Sequence, residues 1–162
     1  MPSLYLLRHG KSDRIAAVPD HDRELRARGR RAARLVGTLL GAAGEAPELV
    51  LVSSAVRALR TAQLAVEAGG WTAELSVRPE LYQASVADVL ALLAGADPAL
   101  ERLLVVGHEP TTSSTIERLT GARVVVPTGA IARIDVTSFG RADDGNASLC
   151  WLLPPRLLAA FV

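Results

Sequence analysis

The chain has 162 residues, which is enough for one domain with a sizeable core. The formal net charge of +1 gives no strong field that would favour nucleic acid or a membrane surface as a partner. Cys150 is the only cysteine, which excludes an intramolecular disulfide, and its apolar surroundings predict an inert core residue. No apolar run reaches the ~18 residues of a membrane span, and the N-terminus lacks a signal-type leader, so a cytoplasmic location is expected.

The first half of the chain alternates apolar runs with amphipathic segments. Apolar runs predict strands at residues 4–7 and 49–52, and helical spacing predicts helices at 27–40 and 57–68. Ser53 or Ser54 is a plausible N-cap for the second helix, and Gly69-Gly70 ends it.

The second half repeats this alternation and then changes it. We predict strands at 75–77 and 103–106, and a helix at 86–93 that Ser85 caps. A further helix carries Pro110 in its first turn. Strands at 130–136 and 148–152 follow, joined by a turn at 143–146, which predicts a hairpin at a sheet edge. The apolar tail at 154–162 is expected to pack on the body.

Strand–helix alternation predicts a three-layer α/β/α fold with a mainly parallel central sheet, formed by one domain over residues 1–162. Right-handed crossovers place the C-terminal ends of parallel strands at one edge of the sheet. Arg8, His9, Arg57 and His108 each follow a predicted strand within a few residues, so the four side chains can meet at that edge.

These residue types suit phosphoryl chemistry. Arg8 and Arg57 each offer a forked, permanently charged grip on phosphate oxygens. His9 can act as a nucleophile, and nearby arginines favour its neutral form, which keeps a free lone pair. The N-terminus of the helix that contains Arg57 adds its positive dipole end to the same crevice.

Three motifs together carry a resemblance to a known family. They are Arg8-His9-Gly10 after the first strand, the Ser53…Arg57-Ala58…Thr61-Ala62 segment, and Gly107-His108 after a late strand. Their order and context resemble the histidine phosphatase superfamily, also called phosphoglycerate mutase-like. The short length, Lys11-Ser12, Asp22-Arg23-Glu24-Leu25 followed by Arg28-Gly29, and Glu80-Leu81-Tyr82 look most like its SixA-type branch of phosphohistidine phosphatases. The resemblance covers roughly residues 4–112.

The resemblance implies a phosphoglycerate mutase-like fold and a role for each matching residue. His9 would be the transiently phosphorylated nucleophile, Arg8 and Arg57 would hold phosphate oxygens, and His108 would be the second histidine of the pocket. Glu80 lies where the superfamily often has its general acid, although it is equally well interpreted as a surface carboxylate. Ser12 would extend the phosphate pocket. The scheme needs no metal and no cofactor.

Other polar residues leave alternatives open. Glu109 departs from many relatives, and it could shift the pKa of His108, repel an anionic substrate or serve as a helix-start residue. His21, between two aspartates, is interpreted as a surface loop residue rather than a catalyst.

The expected function is a phosphatase that forms phosphohistidine at His9 and acts on phosphohistidine in a protein, for example a histidine-phosphotransfer domain. One alternative is a phosphatase of the same mechanism that takes a small phosphate ester. A second is a phosphate- or phosphoprotein-binding module without catalysis. Neither nucleic acid nor a membrane is expected as a partner.

Overall fold

A computed structural model describes residues 1–161 of the chain. The elements follow the strand–helix alternation of the sequence. The strands are β1 (Ser3–Arg8), β2 (Leu49–Ser53), β3 (Glu74–Arg78), β4 (Arg102–Gly107), β5 (Ile131–Asp135) and β6 (Ser148–Leu153). The helices are α1 (Ala27–Ala42), α2 (Val56–Gly69), α3 (Val86–Ala94), α4 (Thr111–Thr120) and α5 (Pro155–Leu158).

The strands form a single six-stranded sheet in the order β3-β2-β4-β1-β5-β6. β3, β2, β4 and β1 are parallel, whereas β5 and β6 pair antiparallel at one edge. The predicted mainly parallel sheet and edge hairpin are therefore confirmed. Because β1 and β4 are parallel neighbours, Arg8 pairs with Gly107, and the residues that follow both strands leave the same edge.

Helices cover both faces of this sheet, and alternate side chains of β1 point to different helices. Leu4 and Leu6 belong to the core beneath α3 and α4, whereas Tyr5 and Leu7 belong to the core beneath α1, α2 and α5. The two layers bury β1 from Ser3 to Leu7, which explains the unbroken apolar run at residues 4–7. Full burial of one such leucine contributes roughly 1.5–3 kcal/mol.

Glycines let α1 approach its neighbours closely. A Cβ added to Gly37 would lie 2.1 Å from the Ala65 carbonyl oxygen of α2. A Cβ added to Gly29 would lie 2.2 Å from the Lys11 carbonyl oxygen. The first glycine brings the two helices together, and the second seats α1 against the loop that leaves β1.

Several local predictions differ from the structure. Ala55, not a serine, occupies the N-cap of α2, and Pro110 caps α4 rather than lying inside its first turn. Ser85 does cap α3, through a reciprocal capping box with Asp88. Cys150 is exposed rather than buried, because it lies on the edge strand β6.

The tail packs on the body at one position. Leu158 of α5 is fully buried, whereas Phe161 is 76% exposed. Val162, the last residue of the predicted tail, lies outside the described residues. None of the helices within residues 1–161 combines the length and apolar character that a membrane crossing needs.

Candidate active site

The four residues predicted to meet do lie together. Arg8 ends β1, His9 follows it, and His108 directly follows β4. The ring centroids of His9 and His108 are 5.1 Å apart. Arg57, in the first turn of α2, donates from its Nε to the Nε2 of His9 at 3.3 Å. The C-terminal ends of β1 and β4 and the start of α2 therefore converge on one point.

The hydrogen bonds of His9 define its tautomer. Nδ1 lies 2.8 Å from the carbonyl oxygen of Gly10, which can only accept, so Nδ1 carries the proton. Nε2 then keeps its lone pair and faces the Arg57 guanidinium. Thr61 fixes the backbone behind the ring, since its hydroxyl accepts from the Gly10 N–H and donates to the Arg57 carbonyl.

Burial keeps both histidines neutral. His9 is only 7% exposed, and this desolvation lowers the pKa of its imidazole to about 3. Desolvation also lowers the pKa of His108 to about 4, and the positive charge of Arg57 adds to the effect. Both imidazoles are therefore uncharged at neutral pH, and His9 presents an unprotonated Nε2.

Asp20 holds the far end of the Arg57 guanidinium. Nη1 of Arg57 donates to the Asp20 carbonyl oxygen at 2.7 Å, and Nη2 lies 3.2 Å from the Asp20 carboxylate. The Tyr82 hydroxyl donates to the same carboxylate at 2.6 Å. This hydrogen bond from Tyr82, together with Arg57, lowers the pKa of Asp20 to about 2. A permanently ionised carboxylate thus orients the arginine.

The two histidines and two arginines of the site border a polar cleft of about 180 Å³. Its lining consists of Arg8, His9, Lys11, Ser12, Arg14, Arg23, Arg57, His108, Glu109 and Thr128. Five of these side chains are arginine or lysine and one is a carboxylate, so the cleft is suited to an anion. Within residues 1–161, the buried Arg8 Nε and His108 Nδ1 have no hydrogen-bond partner. Such groups are costly to bury unless a ligand satisfies them.

The remaining predicted residues divide between the cleft and the surface. Ser12 is buried and lines the cleft, and its hydroxyl accepts from Arg23. Glu80 is exposed in the short 3₁₀ helix Pro79–Leu81 and does not line the cleft. Glu109 lines the cleft and also accepts from the Ser113 N–H in the first turn of α4. Glu109 can therefore stabilise the start of α4 and line the cleft at the same time.

Sequence reasoning missed the side chains that surround the cleft. His21 is not a free surface residue, because its Nε2 lies 2.9 Å from the Ser54 hydroxyl and its ring packs edge-on against Tyr82. The Ser53 hydroxyl lies 2.8 Å from Nε2 of His108. Ser53 and Ser54, either of which was a candidate for the N-cap of α2, each contact a histidine instead. Asp20 carried no signal in the sequence, since its loop has no periodic pattern.

Metal ligation has no obvious location in this part of the chain. Across residues 1–161, no three His, Cys, Asp or Glu side chains cluster in a way that could hold a metal ion.

A strand-end histidine lies between two arginines in a cationic cleft suited to an anion, and the mainly parallel α/β fold that carries it is of the phosphoglycerate mutase-like class. Residues 4–92 match the model of the histidine phosphatase superfamily, branch 1. The chain therefore belongs to the histidine phosphatase superfamily.

The chain is also similar to individual proteins and solved structures. An uncharacterized protein of Mycobacterium tuberculosis (strain H37Rv) is 34% identical over 93% of this chain and 100% of its own length. A solved structure from Nakamurella multipartitia, assigned as phosphohistidine phosphatase SixA, is 29% identical over 95% of this chain and 96% of its own, with a TM-score of 0.83.

The protein histidine phosphatase SixA, solved in complex with tungstate, is 26% identical over 95% of this chain and 97% of its own, again with a TM-score of 0.83. The superfamily and these solved relatives are phosphatases, which supports phosphatase activity for this chain.

Proposed function

We propose that this protein is a phosphatase that forms a phosphohistidine intermediate at His9 and removes phosphate from phosphohistidine in a protein substrate. The observation that carries the proposal is the neutral, buried His9, whose unprotonated Nε2 faces the Arg57 guanidinium at 3.3 Å in a cationic cleft. Phosphoryl transfer depends mainly on positioning and on neutralising charge on three oxygens, and this site supplies both.

In the first step, Nε2 of His9 uses its lone pair to form a bond to phosphorus, and the bond from phosphorus to the substrate nitrogen breaks. The proton on Nδ1 stays hydrogen-bonded to the Gly10 carbonyl, so the phosphorylated ring keeps its orientation. In the second step, water attacks the phosphorus, inorganic phosphate leaves and His9 regains its lone pair.

Arg8, Arg57 and His108 would hold the phosphoryl oxygens. Arg8 Nε and His108 Nδ1, which have no hydrogen-bond partner within residues 1–161, give two buried positions at which an oxygen can be bound. Ser53 supports this role for His108, because its hydroxyl accepts from the Ala55 N–H and so can donate its proton to Nε2. In that arrangement His108 presents Nδ1–H as a donor.

The leaving group argues for phosphohistidine over a phosphate ester. A phosphoimidazole that is protonated on its second nitrogen leaves as neutral imidazole and needs no acid from the protein, whereas an alkoxide does. Glu80, the residue expected to supply such an acid, is exposed and does not line the cleft. The likeness to SixA structures over nearly the whole chain points to the same substrate class.

The test is phosphate release from a protein phosphorylated on histidine, at neutral pH and without added metal. We expect rapid release by the wild type, and for His9→Ala a loss of at least about a hundredfold, since removal of a catalytic nucleophile has effects of this order or larger. Wild-type enzyme that is quenched in alkaline denaturant, in which phosphohistidine is stable, should carry ³²P on histidine, and the variant should not. Release by the wild type from phosphate esters alone would favour a small-molecule phosphatase, and equal release by both proteins would contradict the nucleophile assignment.

A further inference from the structure

A second groove adjoins the catalytic cleft. It has a volume of about 440 Å³ and lies between α1, the segment before β5 and the C-terminal α5. Its walls combine the apolar side chains Ala32, Leu35, Pro127, Pro154, Pro155 and Ala159 with the arginines Arg28, Arg31 and Arg156, beside Thr128. Thr128 lines both the groove and the catalytic cleft.

The backbone connects the groove rigidly to the catalytic strand end. The N–H of Gly129 lies 3.0 Å from the Arg8 carbonyl and 2.9 Å from the His9 carbonyl. A Cβ added to Gly129 would lie 3.0 Å from both Ala32 and Pro155, and 3.9 Å from the Cα of Gly10. The groove wall and the loop that carries His9 are therefore close together, and Thr128 lies at the boundary between the groove and the cleft.

The charged side chains that line the groove within residues 1–161 all carry the same sign. Arg28, Arg31 and Arg156 are exposed, and none has a carboxylate within 4.0 Å or a hydrogen-bond partner among residues 1–161. By contrast, Arg26 on the same helix is paired with Asp13. The groove lining within residues 1–161 contains no acidic side chain.

We propose that this groove binds an acidic segment of the protein substrate, next to the phosphorylated residue that enters the catalytic cleft. The proposal rests on the proposed function, because it supplies that phosphatase with a docking surface for a protein. Three guanidiniums without an ion-pair partner among residues 1–161 match aspartate and glutamate side chains, and the prolines and Leu35 match the apolar side chains between them. A small phosphate ester fills the cleft without reaching this surface.

Direct binding tests the groove independently of catalysis. Two fluorescein-labelled peptides without phosphate are compared by anisotropy, one rich in Asp and Glu with interspersed Leu, the other with Gln and Ser in place of the acids. The wild type should bind the acidic peptide more tightly, and increasingly so as the salt concentration falls. The triple variant Arg28→Gln, Arg31→Gln, Arg156→Gln should bind it about tenfold more weakly, since exposed pairs are individually weak.

The matched control removes the same charge elsewhere. Arg34→Gln, Arg60→Gln and Arg123→Gln, combined in one chain, change three arginines that do not line the groove. This control should bind the acidic peptide as the wild type does. Equal weakening in both triple variants, or no weakening in either, would overturn the groove as a specific site. Circular dichroism of both variants verifies that they are folded.

Turnover measurements distinguish a failure of the groove proposal from a failure of the proposed function. With one phosphohistidine placed in each peptide, the wild type should show an acidic-over-neutral preference of about tenfold in kcat/KM, lost in the groove variant through KM. Turnover of p-nitrophenyl phosphate should be the same in both triple variants. Failure of the wild type to release phosphate from either phosphohistidine peptide would contradict the proposed function, while the anisotropy measurement would still decide the groove.

Discussion

Arg57 is the most constrained side chain of the candidate site. Its Nε contacts Nε2 of His9, and its two terminal nitrogens contact the carbonyl and the carboxylate of Asp20. The side chain is buried, so its charge acts in a medium that screens it weakly. An arginine held in this way is preorganised for a phosphoryl group and needs little rearrangement when the group arrives.

Replacing Arg57 should therefore weaken phosphate binding and turnover together. For Arg57→Ala we expect kcat/KM to fall by roughly a hundredfold or more, through both a higher KM and a lower kcat. Arg57→Lys should recover only part of this loss, because an ammonium group cannot replace the planar fork. Arg60→Ala, three residues along α2, is the matched control and should be near wild type. An unchanged rate in Arg57→Ala would place the phosphate elsewhere.

His108 should act mainly on the rate. It is packed against the ring of His9, and its Nδ1 has no partner within residues 1–161. We expect His108→Ala to lower kcat by roughly a hundredfold, while competitive inhibition by inorganic phosphate changes far less. Steady-state kinetics with and without phosphate measures both quantities. If inhibition weakened more than kcat fell, His108 would be a binding residue only.

The difference between predicted and missed residues has a physical origin. Arg8 ends β1, and His9 and His108 directly follow β1 and β4, so the sheet determines their positions, and sequence patterns locate strands well. Asp20 and Tyr82 meet through tertiary contacts between two segments without periodic structure. Their hydrogen bond joins positions 62 residues apart, which no local pattern predicts.

At the scale of elements, α1 supports the loop that positions His9. Gly29, in the first turns of α1, packs on the backbone of Gly10 and Lys11. The Gly10 carbonyl accepts from Nδ1 of His9, so a displacement of this loop changes the direction of Nε2. We therefore expect α1 to support the proposed catalysis without presenting a reacting group.

A methyl group at Gly29 should disturb both stability and activity. In Gly29→Ala the new Cβ would lie 2.2 Å from the Lys11 carbonyl oxygen, so we expect a loss of about 1–3 kcal/mol in the free energy of unfolding. The shifted loop should also lower kcat/KM, by up to about a hundredfold. Gly37→Ala is the control, because its Cβ meets Ala65 on α2, with a similar clash. The control should lose stability but keep its activity when folded; equal activity in both variants would contradict this support by α1.

The positions of the elements were easier to predict than helix caps and exposure. The strand–helix alternation located all four parallel strands and the helices between them within a few residues. Cys150 was misplaced because an apolar strand sequence does not reveal whether the strand is central or at an edge. The connection from β5 to β6 was also simplified, since it contains the 3₁₀ helix Phe139–Arg141 before the predicted turn.

For the molecule as a whole, the low pKa values of His9 and His108 make the folded state less stable in acid. The pKa of His9 is about 3 in the folded protein, against 6.5 for an exposed imidazole, because burial disfavours the charged form. Between these values the unfolded chain binds a proton that the folded chain does not. Stability present above pH 6.5 is therefore lost as the pH falls, and His108, with a pKa of about 4, acts in the same direction.

Substitution of His9 should reduce this acid sensitivity. From pH 6 to pH 4.5, His9 alone should lower the wild-type free energy of unfolding by up to about 1.4 kcal/mol per pH unit. In His9→Gln the neutral amide cannot titrate. The free energy of unfolding, measured with urea across this pH range, should therefore change less steeply with pH than in the wild type. Asp20, with a pKa lowered to about 2 from 3.8, contributes mainly below this range. Parallel slopes in the two proteins would mean that His9 is protonated in the folded state at these pH values, and such a ring would have no lone pair for attack on phosphorus.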